Sequence, residues 1–383
     1  MATYYVRTDG VDTASGANDT NNVTTGAWRT ISKALTTMVA GDIGYVRGSA
    51  GNAGSYPTSS PDYTETAFIS SNSGSAASGW IRLVANPAGP MPTILTTYGM
   101  LIYNPSFVEL NGLYIATTGA NFNTNGVIFA GGVMSVRDCV INLGTQNIVG
   151  VNLKTGSEMI GGEVYGGSAS PSAGSGGYGI QTMNYGVLIE GVRVRYCRDH
   201  GIYIGDANCS TQVRNCLIYG NVGDGVHSTQ NAVGVAISRI IGNTIHGNSG
   251  HGVQLSGTNG AAYHAVRNNI ITGHTQSGKA GISVATSTSD ARKAGWGFNN
   301  VWNNTSDYSN VTADATDLSV DPDYVDAANG DLTPQEATLK GAAFPTAFGS
   351  VSNELWVGAV QPVAAAGGGP AANLRQVTNI GTY

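Results

Sequence analysis

The chain has 383 residues, of which only 11% are charged, with a net charge of −6 and 55 glycines. Ordinary soluble domains carry about 25% charged residues, so solubility here rests on Asn, Ser, Thr and Gln. The acidic balance argues against a nucleic-acid partner, which would need a basic face, and no stretch approaches the ~18 apolar residues of a membrane span.

Taken from the N-terminus, residues 1–40 read as a cap. Met1-Ala2-Thr3 leads into Tyr4-Tyr5-Val6-Arg7 without a basic start or an apolar run, so no signal peptide is expected. Thr30 to Leu35 open the one predicted helix. Ile31, Ala34, Leu35 and Met38 fall on a single apolar stripe, which suits packing against the end of a β-structure and shielding its open edge. Residues 42–46 begin the strands, and 48–61 are a Gly/Ser/Pro/Asn loop. Residues 80–84 and 93–95 are further strands, and 107–115 open a regular region.

That region is a repeat. A glycine followed by a β-branched residue recurs at Gly126, Gly150, Gly179, Gly201, Gly225, Gly252 and Gly281. A second phrase runs out of phase at Asn215-Cys216-Leu217, Asn243-Thr244-Ile245, Asn268-Asn269-Ile270 and Asn299-Asn300-Val301. Two interleaved signals at one loose period mean one structural unit laid down repeatedly. The stretches after each glycine, such as Ile202-Tyr203-Ile204 and Val253-Gln254-Leu255, alternate and are rich in strand-forming residues. At ~3.3 Å per residue, each unit holds two or three short strands and their turns. Such units stack as coils of an all-β parallel β-helix. Residues 166–177 and 285–296 read as loop insertions.

These phrases resemble the right-handed parallel β-helix repeat shared by pectate-lyase-like proteins and by many tailed-phage spikes and fibres. The resemblance covers roughly residues 40–330. It is specific for fold and implies a right-handed parallel β-helix over 41–330. One such scaffold carries lyases, hydrolases, adhesins and inert virion parts, so it leaves function open. A closing segment follows over 331–360, and 361–383 form a Gly/Pro/Ala linker and a tail expected to dock on a neighbour.

The four cysteines, Cys139, Cys197, Cys209 and Cys216, match no metal-site spacing and read as buried free thiols. No metal and no cofactor are expected. Chemistry-bearing residues concentrate in two slots of the repeat. The slot before the glycine reads Tyr178, His200, Asp224, His251, Ala280, and the slot two after it reads Gln181, Tyr203, His227, Gln254, Ser283. Equivalent residues of stacked coils lie ~4.8 Å apart. His200, Asp224, His227 and His251 are therefore the candidates for acid–base work. Tyr203, Arg198 and Asp199 are the candidates for binding a ligand. The simpler reading makes the His200–Asp224–His251 ladder structural. Gly250-His251-Gly252 resembles one motif of the polygalacturonases, a family that also needs an Asn-x-Asp, an Asp-Asp pair and an Arg-x-Lys after it, but the chain has no Asp-Asp, and Arg292-Lys293 is an adjacent pair in a loop. Pectate lyases would need a carboxylate cluster. Asp199, Asp206 and Asp224 beside Arg198 are the nearest equivalent, and their slots do not coincide. Asn215, Asn243, Asn268 and Asn299 suit an inward ladder of stacked amides.

The expectation is a structural or adhesive virion protein of a tailed phage, a head-decoration, fibre or spike component. It would be made in the host cytoplasm and sit on the virion surface. Its partners would be other virion proteins, its own copies, and a host surface glycan, with no nucleic acid and no membrane. The alternative is a lyase or glycoside hydrolase acting on an envelope polysaccharide.

Overall fold

The computed structural model describes residues 1–49, 61–65, 68–69, 72–96, 100–102, 106–117, 126–167, 177–205, 210–229, 237–256, 263–285, 296–339 and 358. Its core is a parallel β-helix. Three parallel sheets of ten strands each run the length of the coils. One coil visits them in turn, as in Ser210–Arg214 on sheet A, Leu217–Tyr219 on sheet B and Val226–Ser228 on sheet C. Inward side chains alternate with outward ones. Ile202, Val226 and Val253 stack in register inside sheet C, and Ile218, Ile245 and Ile271 do so inside sheet B. These residues are fully buried, and the branched aliphatic columns supply most of the apolar burial that holds the coils together.

Apart from Gly126, whose φ is 91°, the repeat glycines are needed for space rather than for backbone angle. A Cβ on Gly201, Gly225 or Gly252 would sit 2.8, 2.7 or 2.5 Å from the carbonyl oxygen of the next glycine in the series. It would also strike an inward isoleucine of sheet B. The three glycines therefore stack on adjacent coils, as the period predicted.

The turn from sheet A to sheet B works differently. One residue there adopts a left-handed conformation: Asp138, Gly161, Gly191, Asn215, Gly242 and Asn268 in successive coils, with φ between 48 and 68°. Asn, Asp and Gly are the residues that tolerate it. This corrects the expected amide ladder. Asn215 and Asn268 serve this turn, while Asn243 and Asn299 do belong to the ladder, which in the coils of Asn215 and Asn268 runs through the next residue, Cys216 and Asn269. Cys216 N–H donates to Asn243 Oδ1, Asn243 N–H to Asn269 Oδ1, Asn269 N–H to Asn299 Oδ1, and Asn299 N–H to Asp317 Oδ1, all at 2.9–3.1 Å.

A second interior ladder stands five residues further along each coil, at Asn221, Asn248, His274 and Asn304. Cys197 N–H donates to Asn221 Oδ1, and Asn221 N–H to Asn248 Oδ1. His274 N–H donates to Asn304 Oδ1. The constant offset of five was present in the sequence and went unread, because a histidine interrupts the asparagines.

The helix expected in residues 1–40 is present. The helix Ile31–Thr37 is capped by Thr30, whose hydroxyl accepts the Lys33 N–H. The Glu65 carboxylate receives the free N–H groups of Ile31 and Ser32. Ile31, Ala34, Leu35 and Met38 are all fully buried. The strand Thr3–Val6 pairs parallel with Ile43–Val46, so the cap also contributes the first strand of sheet A. At the other end the repeat extends one strand beyond residue 305, with Ser306–Ser309 paired to Ala280–Val284. A small hairpin of Tyr324–Asp326 and Asp331–Pro334 follows. Leu318, Val320, Tyr324 and Leu339 of this closing segment pack on Ile270, on the outside of sheet B. The expected linker and tail over 361–383 lie outside the described residues. Among the described residues no helix is long and apolar enough to cross a membrane.

Cys139, Cys197 and Cys216 are free and fully buried. Burial pushes the Cys139 and Cys216 thiols up to about 12 and that of Cys197 higher still, leaving almost no thiolate at neutral pH. These three should resist a thiol reagent in the native protein at pH 8 and react on unfolding in guanidinium. Peptide mapping that finds them labelled at the native rate of a small thiol would contradict the buried placement.

Candidate functional site

The slot before each repeat glycine is where the chain enters sheet C. Its backbone N–H points along the axis toward the preceding coil, and the side chain there accepts it. Asp224 N–H donates to His200 Nδ1 at 2.9 Å, His251 N–H to Asp224 Oδ1 at 2.6 Å, and Ala280 N–H to His251 Nδ1 at 2.9 Å. The His200–Asp224–His251 ladder therefore satisfies three amides that would otherwise be left without partners. Accepting at Nδ1 places the ring proton of both His200 and His251 on Nε2.

The slot two after the glycine faces outward on sheet C. Gln181, Tyr203, His227, Gln254 and Ser283 stand in register there, as the period predicted. His227 leans back toward the ladder, and its Nδ1 lies 2.6 Å from Asp224 Oδ2. His200 Nδ1 is 3.4 Å from the same oxygen, and the two imidazole centroids are 4.3 Å apart. The structure thus joins both slots into one cluster, centred on Asp224, which is 5% exposed. The sequence had set His227 in a separate row. Only the pleat of the sheet and the turn geometry bring it to Asp224.

Aromatic rings extend the cluster. Tyr178 stacks on Tyr203 with centroids 4.5 Å apart, and on His200 at 5.5 Å. The Tyr203 hydroxyl lies 3.2 Å from Thr229 Oγ1. Asp199 Oδ1 is 3.5 Å from His200 Nε2. Arg198 turns its Nη1 to the Thr145 carbonyl at 2.6 Å. Lys279, which the sequence reading passed over, adds positive charge near His200 and His251. Asp206 lies outside the described residues.

Electrostatics separate the groups. Burial opposes charge on Asp224, yet the His227 hydrogen bond, the neighbouring imidazoles and the His251 amide outweigh it, holding the carboxyl below its ordinary range. Burial pushes His200 down, with Asp224 and Asp199 opposing and His227 and Lys279 reinforcing. His251 is also pushed down, again by burial first. At neutral pH the cluster is a carboxylate between neutral ladder imidazoles. Such a set can accept a proton through His227, or hold a cation, since His200, Asp224 and His227 offer donor atoms all within 4.8 Å of one another.

The family model for the right-handed β-helix region matches residues 98–295, just over half of the chain. The chain belongs to the right-handed β-helix family. Among solved structures it is similar to a pectate lyase, Pel9A, with 13% identity and a TM-score of 0.62, covering 94% of this chain and 96% of that one. It is also similar to XylC in complex with xylose, with 9% identity and a TM-score of 0.51, covering 84% and 87%. A rhamnogalacturonan lyase aligns at 16% identity and a TM-score of 0.47, covering 85% and 91%. No curated protein matches the sequence. At 13% identity the likeness to that pectate lyase is one of fold.

Proposed function

We propose that this β-helix is an adhesive, glycan-binding protein whose contact surface is the outer face of sheet C around Tyr178 and Tyr203. The observation that carries the reading is the stacked pair itself, with ring centroids 4.5 Å apart and His200 continuing the stack. Ring faces offer apolar area to the C–H face of a sugar, while the hydroxyl edges and the Asp199 and Gln181 side chains can meet its hydroxyls. The ladder acceptors of His200, Asp224 and His251 are already taken by backbone amides, which favours binding over turnover. The low charge and polar uncharged surface fit a component of a virion surface, with its own copies and other virion proteins as partners.

The test is binding of labelled neutral and acidic oligosaccharides to the full chain. Tyr203→Ala should weaken the best ligand by on the order of 10-fold or more, with circular dichroism showing the β-helix still folded. Equal affinity for the wild type and Tyr203→Ala across all saccharides would remove this face from the proposal.

One observation favours the alternative, a lyase or hydrolase acting on an envelope polysaccharide. The 2.6 Å contact of His227 with the ionised Asp224 is the geometry of an imidazole base held by a carboxylate. Incubation with the same polysaccharides should then yield unsaturated products or new reducing ends, abolished in both Asp224→Asn and His227→Ala. Intact polysaccharide after prolonged incubation sinks that alternative and leaves the adhesive reading standing.

A further inference from the structure

The hydrogen bonds of His227 run in one direction. The Asp224 carboxyl is held ionised at neutral pH and can only accept. Its 2.6 Å contact is therefore a bond donated by His227 Nδ1–H to Oδ2. A neutral imidazole carries one proton, which leaves a lone pair on Nε2. Ser256 Oγ lies 3.2 Å from that nitrogen. The Ser228 carbonyl beside this hydroxyl already accepts the Ser256 N–H at 2.7 Å, so the hydroxyl proton is available to His227. Ser256 belongs to the next coil, directly after the strand Val253–Leu255, and is half-buried. Hydroxyl, imidazole and carboxylate thus form one chain in which each proton points toward Asp224.

We propose that Asp224, His227 and Ser256 form an acyl-transfer triad, with Ser256 as nucleophile, that hydrolyses O-acyl esters of saccharides lying on the outer face of sheet C. The roles are those of a hydroxyl nucleophile, its general base, and the carboxylate that orients the base. Both contacts fall within the ~2.6–3.2 Å that proton transfer needs. The His251 N–H holds Asp224 Oδ1 at 2.6 Å, so one carboxylate oxygen serves the ladder and the other is fixed toward His227. The Asp224 side chain is 7% exposed and that of His227 19%, which screens the carboxylate from water while the ring reaches the surface. Ser256 Oγ bonds to the ester carbonyl carbon as its proton passes to His227 Nε2, and the carbonyl π pair moves onto oxygen. Tyr203, in the same outward row as His227, reaches Thr229 with its hydroxyl at 3.2 Å, which sets a hydroxyl one coil from Ser256 for the charge on that oxygen. Collapse breaks the bond to the sugar oxygen, which takes the proton from Nε2 and leaves as a hydroxyl. Water then attacks the acyl-serine by the same route, returning a proton to Ser256 Oγ and releasing the carboxylic acid. That the acyl group is carried by a saccharide rests on the glycan-binding reading above; the triad itself does not.

The test is labelling of the full chain with a fluorophosphonate probe, mapped by mass spectrometry. Beside it run turnover of p-nitrophenyl acetate and release of acetate from O-acetylated oligosaccharides. The probe should modify Ser256. Ser256→Ala and His227→Ala should each lower kcat/KM for the nitrophenyl ester by on the order of 10³-fold or more. Asp224→Asn, which keeps an oxygen for the His251 amide, should lose a similar factor. Ser306→Ala, on a coil outside the triad, should label and turn over as the wild type does. Circular dichroism of every variant controls for folding. Acetate release should leave the saccharide backbone intact and should require Ser256, which a lyase or glycosidase working through His227 would not. Absence of the probe from Ser256, or turnover undiminished in Ser256→Ala, overturns the triad. Neither readout involves a saccharide, so both judge the triad even where glycan binding fails. Triad-dependent turnover of the nitrophenyl ester, without acetate release from an O-acetylated saccharide that the protein binds, overturns the substrate class.

Discussion

Lowering the pH from about 6.5 to about 4 should cost this protein roughly 3 kcal/mol of stability through His274 alone. The imidazole is fully buried in the second interior ladder, and burial pushes it from the ordinary 6.5 down to about 4. Its Nδ1–H donates to Asn304 Oδ1 at 2.8 Å, and its Nε2 accepts from Asn248 Nδ2 at 3.2 Å. A second proton on Nε2 would face the Asn248 amide donor, so the folded chain resists it while the unfolded chain does not. The unfolded state therefore binds more protons across this window, and stability is full above about 6.5 and falls as pH drops toward 4. His200, His246 and His251 are depressed in the same direction, so the His274 share must be isolated by difference. His274→Asn matches the residue type of the other three ladder positions and has no proton to gain. Denaturant unfolding of both proteins at pH 7 and pH 4.5 should show a smaller acid loss in the variant. Parallel pH profiles would show that His274 does not titrate in this way.

Asn269→Ala should destabilise the β-helix by about 3 kcal/mol or more, a large effect for a polar residue. The Asn269 side chain is fully buried. Its Oδ1 accepts both Asn243 N–H and Asn243 Nδ2, at 2.9 and 3.0 Å. Its Nδ2 donates to the Ile240 carbonyl and to Asn299 Oδ1, both at 2.9 Å. Alanine leaves buried donors and acceptors on two adjacent coils without partners, and each costs about 1–3 kcal/mol. Asn215→Ala tests the corrected assignment. Asn215 holds a left-handed turn with φ 55°, and the strain of alanine there is a smaller effect of about 1 kcal/mol. Equal losses for the two variants in urea unfolding would mean that the ladder is misplaced.

The sequence by itself determined the coil. Gly201, Gly225 and Gly252 recur because any side chain there would collide with the next coil, and a steric requirement repeated once per turn is visible as a period. Ile202, Val226 and Val253 alternate with Tyr203, His227 and Gln254 because a strand shows one face to the core and the other to solvent. The helix over Ile31–Thr37 was legible from its apolar stripe for the same reason. The asparagines were legible only in part. A left-handed turn and a hydrogen-bond ladder favour the same residue, so Asn215 and Asn268 were indistinguishable from Asn243 and Asn299 until backbone angles and partners were known.

The candidate site shows the same division. The slots of His200, Asp224 and His251 followed from the period. Their commitment to the amides of the next coil did not, because it depends on where a turn points its N–H. The meeting of His227 with Asp224, three residues apart on a turn and a strand, depends on side-chain direction, which no spacing specifies. The stacking of Tyr178 on Tyr203 depends on the distance between two coils. Tertiary structure decided which polar residues share one pocket, because only stacking turns positions about 25 residues apart into neighbours ~4.8 Å apart.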